Sequence, residues 1–190
     1  MAERIKNMRE VLILAGIDEI NAHGVAGFSI RRVAERCSVS CAAPYKHFKD
    51  KRDFIAAIIE FVNAQWRERQ KAVFDRCGDD LRLKIVEVCV HYVRFLMEKP
   101  YYRAILLLKD DEFDNIYHRT RGQMSSHSQL LERDFFASSG MDEATQKRKL
   151  HMVRAMLFGT VFMLDTGELE YNDTTMENFR ALIDREFDLP

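Results

Sequence analysis

The chain has 190 residues, 29 Lys plus Arg against 30 Asp plus Glu, a net charge of -1 and a hydrophobic fraction of 47%. That is enough chain to bury a core, and with three Pro and eight Gly it excludes a collagenous, disordered or loop-dominated all-β class. No stretch reaches the roughly 18 to 20 consecutive apolar residues of a bilayer span, and the N-terminus has no apolar signal core, so an all-α, cytoplasmic protein is expected.

The neutral total hides a division. Ten basic against six acidic residues through Arg52 leave that segment at +4, whereas 19 against 24 leave the remainder at -5. Such asymmetry fits a nucleic-acid-facing segment attached to something else. In chain order, residues 3–22 hold no Pro, and Ile13, Gly16, Ile17 and Ile20 recur at spacings of three and four, which predicts a helix ended by Gly24. Ser29 is the predicted N-cap of a short second helix with Ile30, Val33 and Ala34 inward, ending near Cys37. After a turn at Ser38 and Val39, Ser40 is the candidate N-cap of a brief third helix reaching Phe48, with Pro44 in its first turn, where a missing N–H is tolerated. Asp50 can cap a fourth helix whose Phe54, Ile55, Ile58, Ile59, Phe61 and Val62 carry it to Trp66 and beyond.

Two short helices joined by a tight turn and packed on a preceding helix form the layout of a helix-turn-helix unit. The run from His23 to Phe54, HGVAGFSIRRVAERCSVSCAAPYKHFKDKRDF, resembles the N-terminal DNA-binding domain of the TetR (tetracycline-repressor) family. The matching elements are the helix-ending Gly24, Ser29, Arg31, the Val33–Ala34 pair, the Val39–Ser40 turn, the Tyr45-x-His47-Phe48 signature and Lys51. One departure stands in the turn: the family commonly has Gly where this chain has Ser38, and a left-handed Ser38 would cost roughly 1 kcal/mol relative to Gly.

The resemblance implies a helix-turn-helix domain over 1–52 and a larger helical ligand-binding and dimerisation domain over 53–190. It places Cys41, Ala42 and Ala43 at the groove-facing start of the recognition helix, Tyr45 and His47 towards the DNA backbone, and Lys51 on a phosphate. Apolar residues at that start cannot read base edges by hydrogen bonding, although an Ala methyl can pack on a thymine methyl. By the resemblance, Arg31 matches a position that often reaches a base, and its guanidinium suits bidentate contact with guanine; Arg31 and Lys46 are the expected base readers, with Ser29, Ser40, Tyr45, His47 and Lys51 on phosphates. Phe28 and Phe48 are assigned to the small domain's core.

Beyond Trp66 the pattern predicts helices over about 79–99, 101–108, 114–138, 142–165 and 174–187, punctuated by Gly78, Gly140 and Gly167. The stretch MLFGTVFMLDTGEL, Met156 to Leu169, resembles the penultimate helix of many TetR-like proteins. From Met152 to Leu164 only Arg154, Gly159 and Thr160 interrupt the apolar run, so this helix needs cover nearly all round. A second copy of the chain supplies it economically, with Leu157, Phe158, Val161, Leu164, Phe179, Leu182 and Ile183 as interface candidates. Two reading helices about 34 Å apart then read a palindromic duplex. Tyr92, Phe95, Tyr102, Met124 and Met156 are candidate walls of a small-molecule effector pocket, with plain core as the alternative.

No metal site or cofactor is expected: the four Cys fit no paired spacing, and none of His91, His118, His127 and His151 forms an i, i+4 pair with another His or Cys. Cys37 and Cys41 lie near the turn and leave a redox role open. The sequence thus points to a ligand-responsive dimeric regulator, a repressor by expectation, that is not an enzyme. It has no GxSxG, Gly-rich phosphate loop or HExxH. An architectural or ligand-binding dimer without a defined operator is the alternative.

Overall fold

The structure, a computed structural model, describes residues 7–107 and 131–188. All regular structure among the described residues is helical. The elements are α1 (Met8–His23), α2 (Ile30–Arg36), a 3-10 turn (Pro44–Lys46), α3 (Lys51–Cys77), α4 (Leu81–Glu98), α5 (Pro100–Leu107), α6 (helical over 131–139), α7 (Glu143–Thr166) and α8 (Asp173–Glu186). Most of the helix predicted over 114–138, and Met124 with it, lies outside the described residues. No described helix is long and apolar enough to cross a membrane.

Local chemistry sets the boundaries. Asn7, Ser29, Asp80, Asp142 and Asn172 each accept a backbone N–H from the first turn of α1, α2, α4, α7 and α8. Asp50 does the same for α3, accepting the Asp53 N–H at 2.9 Å. These side chains satisfy N–H groups that a helix start leaves unpaired. Gly24, Gly78, Gly140 and Gly167 all have positive φ, so the punctuation read from sequence is the punctuation observed.

Contacts divide the chain into two compact units, one of residues 7–65 with 100–107 and one of 66–99 with 131–188, within the described segments. In the first, α1 lies close against α3. A Cβ on Gly16 would sit 2.8 Å from Ile58 Cδ1 and 3.1 Å from Phe54, so Gly lets the two helices approach without displacing either side chain. Phe28, Phe48 and Phe54 form the anchor: Phe48 stacks on Phe54 with centroids 3.9 Å apart, and Phe28 meets Phe54 edge-on at 5.3 Å. All three are buried, as expected for Phe28 and Phe48, and each contributes about 1.5–3 kcal/mol by leaving water. In the same unit Tyr102 is fully buried and its hydroxyl donates to Asn63 Oδ1 at 2.6 Å.

In the second unit α4 packs on α7 and α8. Trp66 is buried between Tyr92 and Phe95, at 4.9 and 5.4 Å between centroids. Arg82 reaches from α4 to the end of α8, donating to Asp184 Oδ1 at 2.7 Å, Asp188 Oδ1 at 2.6 Å and the Asp184 carbonyl. The buried Lys149 donates to the Glu186 carbonyl at 2.7 Å, so a cation meets the negative end of α8.

Candidate nucleic-acid interface

The N-terminal unit presents α2 and the 3-10 turn on the apolar anchor. Ile30, Val33 and Ala34 turn inward, and Arg31, Arg32, Glu35 and Arg36 stay outward. Ser29 caps α2 in extended conformation, its hydroxyl accepting the Arg32 N–H at 3.4 Å. At the other end, Ser38 N–H donates to Glu35 O and Val39 N–H donates to Ala34 O, both at 3.0 Å. That bond pair is a Schellman cap, and it requires a left-handed residue at its centre. Ser38 holds that position with φ 55, the single non-Gly residue of positive φ among the described residues. The strain expected at Ser38 is therefore present.

The brief third helix takes a tighter form than the sequence predicted. Ala43 N–H donates to Ser40 O at 2.9 Å, Lys46 N–H to Ala43 O at 3.2 Å and His47 N–H to Pro44 O at 2.9 Å. These are i→i+3 bonds, and only Pro44–Lys46 is regular 3-10 helix. The cause is local: Pro44 has no N–H to donate to Ser40, so the turn at Ser40 closes through Ala43 instead. The Ser40 carbonyl, not its side chain, makes the described bond.

Of the residues expected to meet DNA, Arg31, Ser40, Cys41, Ala42, Tyr45 and Lys46 are exposed, and Ser29, Ala43, His47 and Lys51 are half-buried. Tyr45 leaves 58% of its surface in water, unusual for an aromatic ring without a covering partner. Arg31 is not free: its Nε donates to Glu35 Oε1 at 2.9 Å, one turn along the same helix. Both side chains are exposed and water screens the pair, which leaves the guanidinium able to exchange Glu35 for another acceptor. The Lys51 ammonium donates to the Ala26 carbonyl at 3.1 Å, which fixes it beside the α1–α2 loop. Lys49 and Arg52 add exposed positive charge, and the Arg9 guanidinium lies 5.4 Å from the Phe48 ring centre.

Sequence reading missed Glu19. Its residue is 1% exposed, and Oε1 accepts from Arg32 Nε at 2.7 Å and from the Ser29 N–H at 3.3 Å. A carboxylate interrupting the Leu12–Gly16–Ile20 stripe was the available signal, since positions 12, 16, 19 and 23 share a helix face. Its partner lies thirteen residues away and could not be inferred from the pattern.

In the second unit, Leu157, Val161, Leu164, Phe179 and Ile183 are buried within their own chain. Phe158 and Leu182 are exposed, at 40% and 54%. Met152, at 42%, and Phe162, at 59%, extend the apolar face of α7, with Ala155 exposed on the same side. Gly159 lies among them, and a Cβ there would meet nothing within 4 Å. Tyr92 and Met156 are half-buried and Phe95 is buried. Among the described residues, no group of three or more His, Cys, Asp or Glu is placed to hold a metal ion.

A short helix pair joined by a tight cap, carried on a three-Phe anchor within an all-helical chain, defines a helix-turn-helix protein. The family model of the bacterial regulatory proteins, tetR family, matches residues 12–58, the same stretch. Residues 12–58 are thus similar to the N-terminal domain of the TetR family. Over 55 residues it is 40% identical to the tetracycline repressor protein class C of Escherichia coli, a match that spans 29% of this chain and 25% of that protein. The fold extends further. A putative tetR family transcription regulator from Shewanella sp. PV-4 is similar with a TM-score of 0.74 at 14% identity, over 95% of this chain and 97% of that one. The transcriptional regulator FadR from Bacillus subtilis, solved in complex with stearoyl-CoA, is similar with a TM-score of 0.73 at 15% identity, over 95% and 96%. At these identities the likeness is one of fold.

Proposed function

We propose that this chain is a dimeric, sequence-specific DNA-binding transcriptional regulator, a repressor whose operator affinity is set by a small molecule bound within residues 53–190. The observation that carries the reading is the exposed set Arg31, Ser40, Tyr45 and Lys46, with Lys51 beside it, on a unit whose apolar anchor is complete without them. Side chains left in water on a packed scaffold are available for a partner, and five of the named groups suit phosphate or base-edge contact.

Dimerisation completes the reading head. The exposed Met152, Ala155, Phe158 and Phe162 of α7, with Leu182 of α8, form the face proposed to meet a second copy. The five buried candidates stand behind it as its support. The space over Gly159 allows a close approach of a partner helix. For the effector, the Trp66–Tyr92–Phe95 cluster and Met156 supply apolar surface of the kind that lines small-molecule sites. The stearoyl-CoA held by the FadR structure is a precedent for a ligand in this fold.

Selection from a pool of random duplexes by the full chain tests the reading. Enrichment of a palindrome supports it. Absence of enrichment at low salt overturns it in favour of an architectural or ligand-binding dimer, the reading that the apolar Cys41–Ala42–Ala43 start would favour.

A further inference from the structure

Glu19 is a buried charge of the N-terminal unit that has no place in the proposed DNA contact. It cannot reach DNA itself, since its side chain is 2% exposed. One of its oxygens accepts from Arg32 Nε and from the Ser29 N–H, and a second Arg32 nitrogen lies against the same oxygen. That nitrogen also donates to the Gly27 carbonyl. The other carboxylate oxygen is 3.8 Å from His23 Nε2. One carboxylate of α1 thus holds the loop, the N-cap and the first turn of α2 together.

Stability alone does not account for it. Taking the Glu19 carboxylate out of water offsets much of what its pairing with the half-exposed Arg32 returns, and Leu at position 19 would continue the stripe of Leu12, Gly16 and Ile20. What the pair adds is direction. The apolar contacts of Ile30, Val33 and Ala34 hold α2 against its neighbours but are not directional, so they tolerate small rotations and slips. Hydrogen bonds weaken steeply off axis, and these fix both the end and the rotation of α2. Successive helix residues lie about 100° apart, so drawing Arg32 back towards α1 turns Arg31 outward. Arg31 is 78% exposed and Arg32 46%.

We infer that the Glu19–Arg32 pair is a positioning latch that sets how α2 presents Arg31, and so governs discrimination between DNA sequences more than affinity for DNA. The inference rests on the DNA-binding reading above. Its test uses the full chain with Glu19→Leu, which keeps apolar burial and leaves the half-exposed Arg32 free to turn into water, and Glu19→Gln, which keeps one acceptor oxygen. The probes are the duplex enriched by the unaltered protein and a scrambled duplex of the same composition.

Glu19→Leu is expected to weaken binding to the enriched duplex about ten-fold or more, the scale of one lost base contact, with the scrambled duplex held within about two-fold. Glu19→Gln is expected to fall between. Loss of folded protein lowers both affinities together and cannot produce that change in ratio. An equal change on both duplexes, or none on either, overturns the latch. Amide hydrogen exchange separates this failure from failure of the DNA reading. If no duplex is enriched, the latch still requires the Ser29 and Val33 amides of Glu19→Leu to exchange about ten-fold faster while α3 is unaffected, and unchanged protection overturns it.

Discussion

Replacing Ser38 by Gly should stabilise the protein. A left-handed backbone costs an L-residue roughly 1–2 kcal/mol, and Gly gives back roughly 0.5–1 kcal/mol of that through its greater freedom in the unfolded chain. The side chain lost is exposed, and no described hydrogen bond uses its hydroxyl, so removing it forfeits no contact there. Both cap bonds, at 3.0 Å, belong to the backbone and survive. The net gain is then about 0.5–1 kcal/mol, or about 1–4 °C in Tm for a chain of this length. Ser38→Val works against the same φ with a branched Cβ and should lose about 1 kcal/mol or more. Urea unfolding followed by circular dichroism, at one fixed protein concentration, compares the three proteins. A Gly variant no more stable than the parent, together with a tolerated Val, would refute a left-handed Ser38.

At the proposed DNA face, Lys51→Ala should weaken binding to all duplexes alike and flatten the salt dependence by about one unit, whereas Arg31→Ala should narrow the gap between specific and random DNA. Competition binding at several salt concentrations checks both, and equal losses on the two DNAs for Arg31→Ala would remove it from base reading. At the proposed dimer face, Phe158→Asp with Phe162→Asp should yield monomers by sedimentation equilibrium, and a dimer of unaltered affinity would place the interface elsewhere. Burial pushes the Cys89 thiol up to about 12, while Cys41 is exposed. Native protein should therefore react with an aromatic disulfide reagent first at Cys41, and at Cys89 only after unfolding; mass mapping of the adducts decides. The Arg69 guanidinium, bonded to both Glu98 oxygens at 2.6 and 3.1 Å, holds the Glu98 carboxyl below its ordinary value. Its contribution is present above the ordinary glutamate range and is lost as pH falls through the lowered value. Glu98→Gln should thus cost a few tenths of a kcal/mol at pH 7 and progressively less as pH falls below the ordinary glutamate range, and a deficit that persists undiminished in acid would contradict the pairing.

How far the sequence was legible depended on how local each signal is. Ser29, Asp50 and Gly24 act on backbone groups within four residues, so their roles follow from neighbours alone. The motif from Gly24 to Phe54 likewise lies in one continuous run, and it carried the resemblance to the TetR family. Ser38 belongs with these, since the turn type dictates the sign of its φ. Pro44 shows the limit of local reading: its tolerance at a helix start was evident, but its missing N–H also narrowed the helix to 3-10 turns.

What required the tertiary structure was any choice between equally apolar faces and any pair distant in sequence. Along Met152 to Leu164 a nearly unbroken apolar run carries no periodicity, and only the packing of α4 and α8 on α7 decides that Leu157, Val161 and Leu164 are covered while Phe158 and Phe162 face water. The Glu19–Arg32 pair likewise exists only once α1 and α2 are folded together. By itself the sequence determined the helical class, most helix ends and the segment that resembles the TetR family's N-terminal domain, because caps, turns and periodicity act over one or two helical turns. Burial and long-range pairing were decided by the fold, because they depend on which surfaces the whole chain brings into contact.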